Sequence, residues 1–267
     1  MLWGMVPRSQ RPHVVILGGF LTDAFQYRPM RRRLLEAGAE RVTIAPIHWP
    51  DWGVMAVAGM GPLLLRGARA IREARRVSRD PIIVVGHSMG GVVARLATCE
   101  TPLDGRRAAL ADDIGCLVTL GTPHAFDPRI PWRHAGVRAV EHLARHCPGA
   151  RFAPRTAYLS VGSRLVPPAR RAPVRTSVHL LNRVLRDLVG ETAGVPGDGL
   201  VGSDRSRLGG ARHVELYDIL HGLIYGPWYG DTAAIERWWP AAVEEWRGAL
   251  AARAAVPQSP TLMAAAL

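Results

Sequence analysis

Residues 81–97, PIIVVGHSMGGVVARLA, restrict the possible folds more than any other stretch of the chain. The uncharged β-branched run Ile82 to Val85 reads as a strand buried on both faces, and the apolar run from Val92 reads as a helix. Only the segment Gly86 to Gly91 is left to turn the chain between them. In so tight a turn, side chains two residues before and after Ser88 would collide with neighbouring backbone, and glycine at 86 and 90 removes them. Ser88 is thereby pushed out at the carboxyl end of the strand, and Gly91 lets the helix pack close to the sheet. A strand that feeds a helix this way belongs in a parallel, helix-covered sheet.

The rest of the chain repeats that alternation. HVVILGG, RVTIAPI, GCLVTLGTP, AYLSVGS and HVELY read as further strands. QYRPMRRRLLEAG (ended by Gly38), LLLRGARAIREARRVS and GGVVARLATCE read as helices between them. With 267 residues, 48% of them hydrophobic, and no linker, one large α/β domain is expected over residues 1–267. Two insertions interrupt it, at about 125–155 and 164–197. The first holds the helical stretch AGVRAVEHLARHC. The second holds SVHLLNRVLRDLV, whose apolar residues share one helical face, and reads either as a core-packed helix or as a cap over a ligand crevice. Residues 251–267 read as a flexible tail.

All 34 basic residues are arginine, against 22 acidic ones, so the formal charge is +12 and chemistry that needs a lysine is excluded. The arginines are scattered and accompany no nucleic-acid motif. Compositional bias explains them, and the partner they leave open is a transient anionic membrane surface, not nucleic acid. Cys99, Cys116 and Cys147 are odd in number and irregularly spaced, which points to no disulfide framework and a reduced compartment. No leader is read at the start, and residues 53–65, though uncharged, are too few to span a bilayer. A cytoplasmic protein is expected.

Gly-x-Ser-x-Gly with a strand before it and a helix after it is the nucleophile-elbow pattern in its proper context. The helix N-terminus lies behind Ser88, and the N–H of Met89 is placed to meet a developing oxyanion. A second donor belongs to the loop after the first strand, where Gly18-Gly19 lets the chain pass close to a ligand. The N–H of Phe20 is the choice there, with Leu21 beside it as a substrate contact.

Together VVILGGFLTDAFQY (14–27), VVGHSMGGVVAR (84–95), VTLGTPHAFDP (118–128) and SRLGGARHVELYDILHGLIY (206–225) resemble the α/β-hydrolases, most closely the small bacterial lipases and esterases. The likeness covers most of the chain outside residues 129–197. It implies the α/β-hydrolase fold: a mostly parallel central sheet with helices on both faces and a cap-like insertion. It also implies a catalytic set in chain order Ser, Asp, His. Of ten histidines, His221 fits the base, following the strand HVELY and adjoining Gly222. His87 adjoins Ser88 but would point away from it, while His124 is placed to line the site. For the acid, Asp198, Asp204 and Asp218 are available. The lipases' Asp-x-x-Val segment matches Asp198 with Val201, and Asp204 is its main competitor. Many lipases carry histidine where this chain has Gly18.

Three other clusters carry chemistry-bearing or aromatic side chains. His142 and His146, four apart beside Cys147, lack a third ligand, so no metal is expected. Trp238, Trp239 and Trp246 fit a last helix packed on the sheet. Trp49 and Trp52, after the second strand, are candidate pocket walls, with Trp52 as a substrate contact. The expected function is cofactor-free hydrolysis of carboxylic esters with apolar acyl chains through Ser88, Asp198 and His221. The alternatives are an acyltransferase or thioesterase with the same residues, or a non-catalytic binding protein of the same fold. Oligomeric state is open.

Overall fold

The computed structural model describes residues 11–126, 134–165, 196–222 and 226–255. In chain order they form β1 (His13–Leu17), α1 (Arg28–Glu36), β2 (Arg41–Ile44), α2 (Trp49–Ala58), α3 (Gly61–Arg76), β3 (Ile82–His87) and α4 (Met89–Thr98). Then follow β4 (Ile114–Leu120), α5 (Ala135–His146), β5 (Ala157–Arg164), β6 (Arg212–Tyr217) and α6 (Thr232–Ala255). The strands make one sheet in the order β2-β1-β3-β4-β5-β6, and every neighbouring pair is parallel.

Strand periodicity sorts the side chains into two cores. Val15, Leu17, Ile82 and Val84 face one layer with residues of α2, α3, α4 and α5. Val14, Ile16, Ile83 and Val85 face the other with residues of α1 and α6. Because both faces are covered, β1, β3 and β4 are buried along their whole length, which is why they read as unbroken apolar runs. β6, at the edge, is only partly covered.

The tryptophans of the last helix serve the second layer. Trp238, Trp239 and Trp246 are buried, and their indole N–H groups donate to the carbonyls of Tyr229, Ala37 and Pro81. α6 continues through Ala255, so the first five residues expected as tail are helical; residues 256–267 lie outside those described. The reading of 164–197 as a helix or cap also falls on residues outside those described, namely 166–195.

α2 had no counterpart in the sequence reading. His48 caps it, and Trp52 and Met55 are its buried residues. Its outward positions carry almost no charge, so no amphipathic period marked it. No helix among the described residues is long and apolar enough to cross a membrane.

The chain passes outward from β1 to β2, then returns to the other side of β1 as β3. Such a reversal opens a crevice at the carboxyl ends of β1 and β3, and those ends carry Gly18-Gly19 and Ser88.

Candidate active site

Ser88 sits between β3 and α4 with φ 53° and ψ −127°, a left-handed conformation costly for a residue with a side chain. Its N–H donates to the carbonyl of Leu120 (2.8 Å). The flanking glycines make this possible. A Cβ on Gly86 would strike the backbone of Gly91, one on Gly90 the carbonyl oxygens of Leu17 and Gly18, and one on Gly91 the side chain of Thr122. α4 can therefore approach the end of β1 until its first turn adjoins Ser88.

His221 lies after β6 and meets the serine across the sheet. Its Nε2 is 2.8 Å from Ser88 Oγ, and its Nδ1 is 2.8 Å from Asp198 Oδ2. An ionised carboxylate only accepts, so Nδ1 carries the ring proton and Nε2 is left to accept from the serine hydroxyl. Backbone reinforces the pair, since His221 N–H donates to the Asp198 carbonyl (2.9 Å).

Asp198 is 1% exposed and has four donors. Leu200 and Val201 N–H give to Oδ1 (3.0 and 2.8 Å), while His221 Nδ1–H and the Tyr229 hydroxyl give to Oδ2 (2.8 Å each). Burial alone would raise its pKa. The charge of His221 and these hydrogen bonds outweigh burial and hold the carboxyl below its ordinary value. Tyr229 is fully buried, and burial beside Asp198 pushes its pKa well up, so it remains a donor. Sequence reasoning missed Tyr229, which stands in the loop PWYGD without any motif to mark it.

The other two candidate aspartates are not the partners of the His221 ring, whose nitrogens meet Asp198 and Ser88. Asp204 is exposed on the turn that follows, and Asp218 is exposed with φ 58° just past β6. The turn that holds Asp198 is closed by the Asp198 N–H to Val201 carbonyl bond (3.2 Å) and the Gly197–Gly202 bridge.

The glycine loop after β1 stands directly over the serine, for a Cβ on Gly19 would come within 2.8 Å of Ser88 Cβ. Thr22 grips the Gly19 carbonyl through its N–H (3.2 Å) and hydroxyl (2.6 Å). In a trans peptide the next N–H points opposite to that carbonyl, which orients the N–H of Phe20. Among the described residues nothing accepts from Phe20 N–H or from Met89 N–H, the latter in the first turn of α4, where helical N–H groups have no internal partner. Leu21 follows with φ 56° and is 55% exposed.

Trp52 is buried with its ring edge-on to Phe20 (centroids 5.7 Å apart), so it backs that loop, and its indole N–H has no acceptor among the described residues. Trp49 is 64% exposed. The ring of His124 has a partner on each nitrogen. Arg95 Nη1 donates to its Nδ1 (3.3 Å) and Thr119 Oγ1 lies 3.2 Å from its Nε2. Burial and Arg95 push its pKa well down. The structure thus brings together Ser88, His221, Asp198 and the loop bearing Phe20, with Met89 adjoining, but gives the ring of His124 other partners. His142 Nε2 faces the Thr101 carbonyl (3.2 Å) and Cys99 Sγ (3.8 Å), and among the described residues no cluster of three metal-ligating side chains occurs.

A strained serine between β3 and α4 at the switch point of a parallel sheet, with a histidine arriving after the last strand, defines the α/β-hydrolase fold, and the chain has that fold. The model of one family, the PGAP1-like alpha/beta domain, matches residues 65–142, from α3 to α5. No curated protein matches the chain. The mature form of lipase BlEst2 from Bacillus licheniformis is similar in structure, with TM-score 0.60 and 15% identity over 89% of this chain and 94% of that one. The propeptide form of the same lipase is similar with TM-score 0.58 and 17% identity, over 90% of this chain and 52% of that one.

Proposed function

We propose that the protein is a serine hydrolase that cleaves carboxylic esters through an acyl-enzyme, with Ser88 as nucleophile, His221 as base and Asp198 as acid. The observation that carries this reading is the pair of 2.8 Å contacts on the two ring nitrogens of His221. Ser88 Oγ attacks the ester carbonyl while His221 Nε2 takes its proton, and Asp198 steadies the imidazolium. The carbonyl oxygen, now negative, accepts from the N–H groups of Phe20 and Met89, two donors that have no acceptor among the described residues. His221 then returns its proton to the leaving alcohol. Water activated by the same nitrogen releases the acid, so no cofactor enters any step.

The lipase among the structural neighbours fits an ester with an apolar acyl chain. So do the exposed apolar side chains Leu21 and Phe25 on the segment that follows β1 and Trp49 at the start of α2.

The test is a series of p-nitrophenyl esters, from acetate to palmitate, offered to the wild type and to Ser88→Ala. Turnover of at least one ester by the wild type, reduced by about 10⁴-fold or more in the variant, is the expected result. Undiminished turnover by Ser88→Ala would overturn the reading. A wild type inert to every ester, yet able to move an acyl group from a thioester, would replace ester hydrolysis with the transferase or thioesterase reading.

A further inference from the structure

Two buried side chains beside the site have no part in that chemistry. Tyr27 is fully buried at the end of the short turn before α1, and His87 is 2% exposed, immediately before the serine and pointing away from it. Tyr27 Oη lies 2.8 Å from Gly19 N and 2.9 Å from His87 Nδ1; His87 Nε2 lies 3.0 Å from the carbonyl oxygen of His221.

With a neutral His87 ring, only one placement of protons satisfies these three contacts. The His221 carbonyl can only accept, so Nε2 of His87 carries a proton. The ring of His87 is walled by Tyr27, Trp228, Tyr229 and His221, all within 6.0 Å between centroids. Burial there, with His221 adjoining, pushes its pKa down to about 3, so it holds that single proton. Nδ1 is therefore an acceptor, the Tyr27 hydroxyl donates to it, and the tyrosine oxygen accepts from Gly19 N–H. The result is a one-way chain: Gly19 N–H to Tyr27, Tyr27 to His87, His87 to the His221 carbonyl.

This chain joins the two parts of the site that must keep register. At one end is the residue before Phe20, whose N–H meets the oxyanion; at the other is the main chain of the base. His221 is then held on both sides of its backbone, its N–H by Asp198 and its carbonyl by His87. We infer that Tyr27 and His87 are positioning residues, a buried strut that sets the separation of the oxyanion donor at Phe20 from the imidazole of His221. The inference rests on the hydrolase reading above. It assigns to His87 the task of holding the loop and the base together, with no proton transferred through it.

A strut acts as a unit, so breaking it once or twice has the same consequence. Tyr27→Phe and His87→Leu are each expected to lower kcat for p-nitrophenyl butyrate by about 10-fold to 100-fold with KM within about two-fold of wild type. The double variant is expected to fall no further than the worse single one. His87→Gln, which can still donate to the His221 carbonyl, should recover part of the loss seen in His87→Leu. Losses that multiply in the double variant, a kcat for Tyr27→Phe close to wild type, or an effect confined to KM would each overturn the strut. Should the variants fail to fold, ¹⁵N spectra of the wild type decide the proton placement: His87 protonated on Nδ1 would overturn it. Labelling of Ser88 by a fluorophosphonate separates the two levels. A wild type that neither labels nor turns over the ester removes the hydrolase reading and the strut with it, whereas labelling at an equal rate in wild type and Tyr27→Phe removes the strut alone.

Discussion

The site is built from two regions of opposite character. The serine side, residues 81–98, is a strand, a turn and a helix in unbroken sequence, and its geometry is decided within a few residues by glycines and one strained φ. The acid and base side, residues 196–222 and 226–231, is mostly loop; the turn at 197–202 closes on itself, but the bonds that join Asp198, His221 and Tyr229 reach far along the chain. Asp198 and His221 are 23 residues apart, and Asp198 and Tyr229 are 31 apart. The first region is shaped by steric exclusion and the second by hydrogen bonds that satisfy buried polar groups. They should therefore fail differently: the first in stability when a methyl group is added, the second in chemistry when a donor or acceptor is removed.

The sharpest way to break this comparison is at the acid. Asp198→Asn leaves the shape of the loop but not its charge, and it can present the wrong partner to His221 Nδ1. A loss of about 10⁴-fold in kcat is expected, measured on the best p-nitrophenyl ester. Asp204→Asn, on the exposed turn nearby, should leave kcat unchanged within about two-fold. Equal losses at both positions would show that the second region responds to general damage rather than to one charge.

Low pH should weaken the Tyr27–His87 strut that joins the two regions. The pKa of His87 falls from 6.5 in an open chain to about 3 in the folded protein, because burial and the adjoining His221 disfavour its charged form. The unfolded chain thus binds a proton that the folded one refuses, so stability is full above pH 6.5 and is lost as pH falls toward 3. The loss amounts to on the order of 5 kcal/mol from this residue alone. Urea midpoints taken at pH 7, 6 and 5 should fall steadily, and less steeply in His87→Gln. His124, its pKa also driven down by burial, adds to the slope in both proteins.

On the serine side the matching experiment is Gly90→Ala. The added methyl group meets the carbonyl oxygens of Leu17, the last residue of β1, and of Gly18 just past it, backbone atoms that can yield only if the main chain shifts. A loss of about 3 kcal/mol or more in urea unfolding is expected. Gly53→Ala, where a Cβ meets nothing within 4 Å, should cost no stability.

The same contrast explains what could be read before the structure was known. All six strands were legible, β1, β3 and β4 as unbroken buried runs and β2, β5 and β6 as stretches that mix polar with strand-forming residues, and the elbow because its glycines are required locally. α2 was not, since Pro50, Gly53 and an uncharged outer face erase the usual helical signals. Between Asp198 and Asp204 a local cue was present: DGLV places two backbone N–H groups within reach of the first aspartate, the ordinary Asx arrangement. Tyr229 and the Tyr27–His87 contact offered no such cue, because hydrogen bonds spanning 31 and 60 residues leave no spacing to read.

Tyr229 supplies the finest test of the loop side. Its hydroxyl shares Asp198 Oδ2 with His221 Nδ1–H, so it competes for that oxygen's electron density while pinning its position. If competition dominated, removing the hydroxyl would strengthen the Asp198–His221 bond and leave kcat intact or higher. Position should dominate, because the same carboxylate already has two backbone donors on Oδ1 and would turn toward them once the tyrosine lets go. Tyr229→Phe is therefore expected to lower kcat about ten-fold at unchanged KM, the size of one charge-assisted hydrogen bond. An unchanged kcat would mean that the backbone of residues 198–201 fixes the acid by itself, and the loop side would then be as locally determined as the serine side.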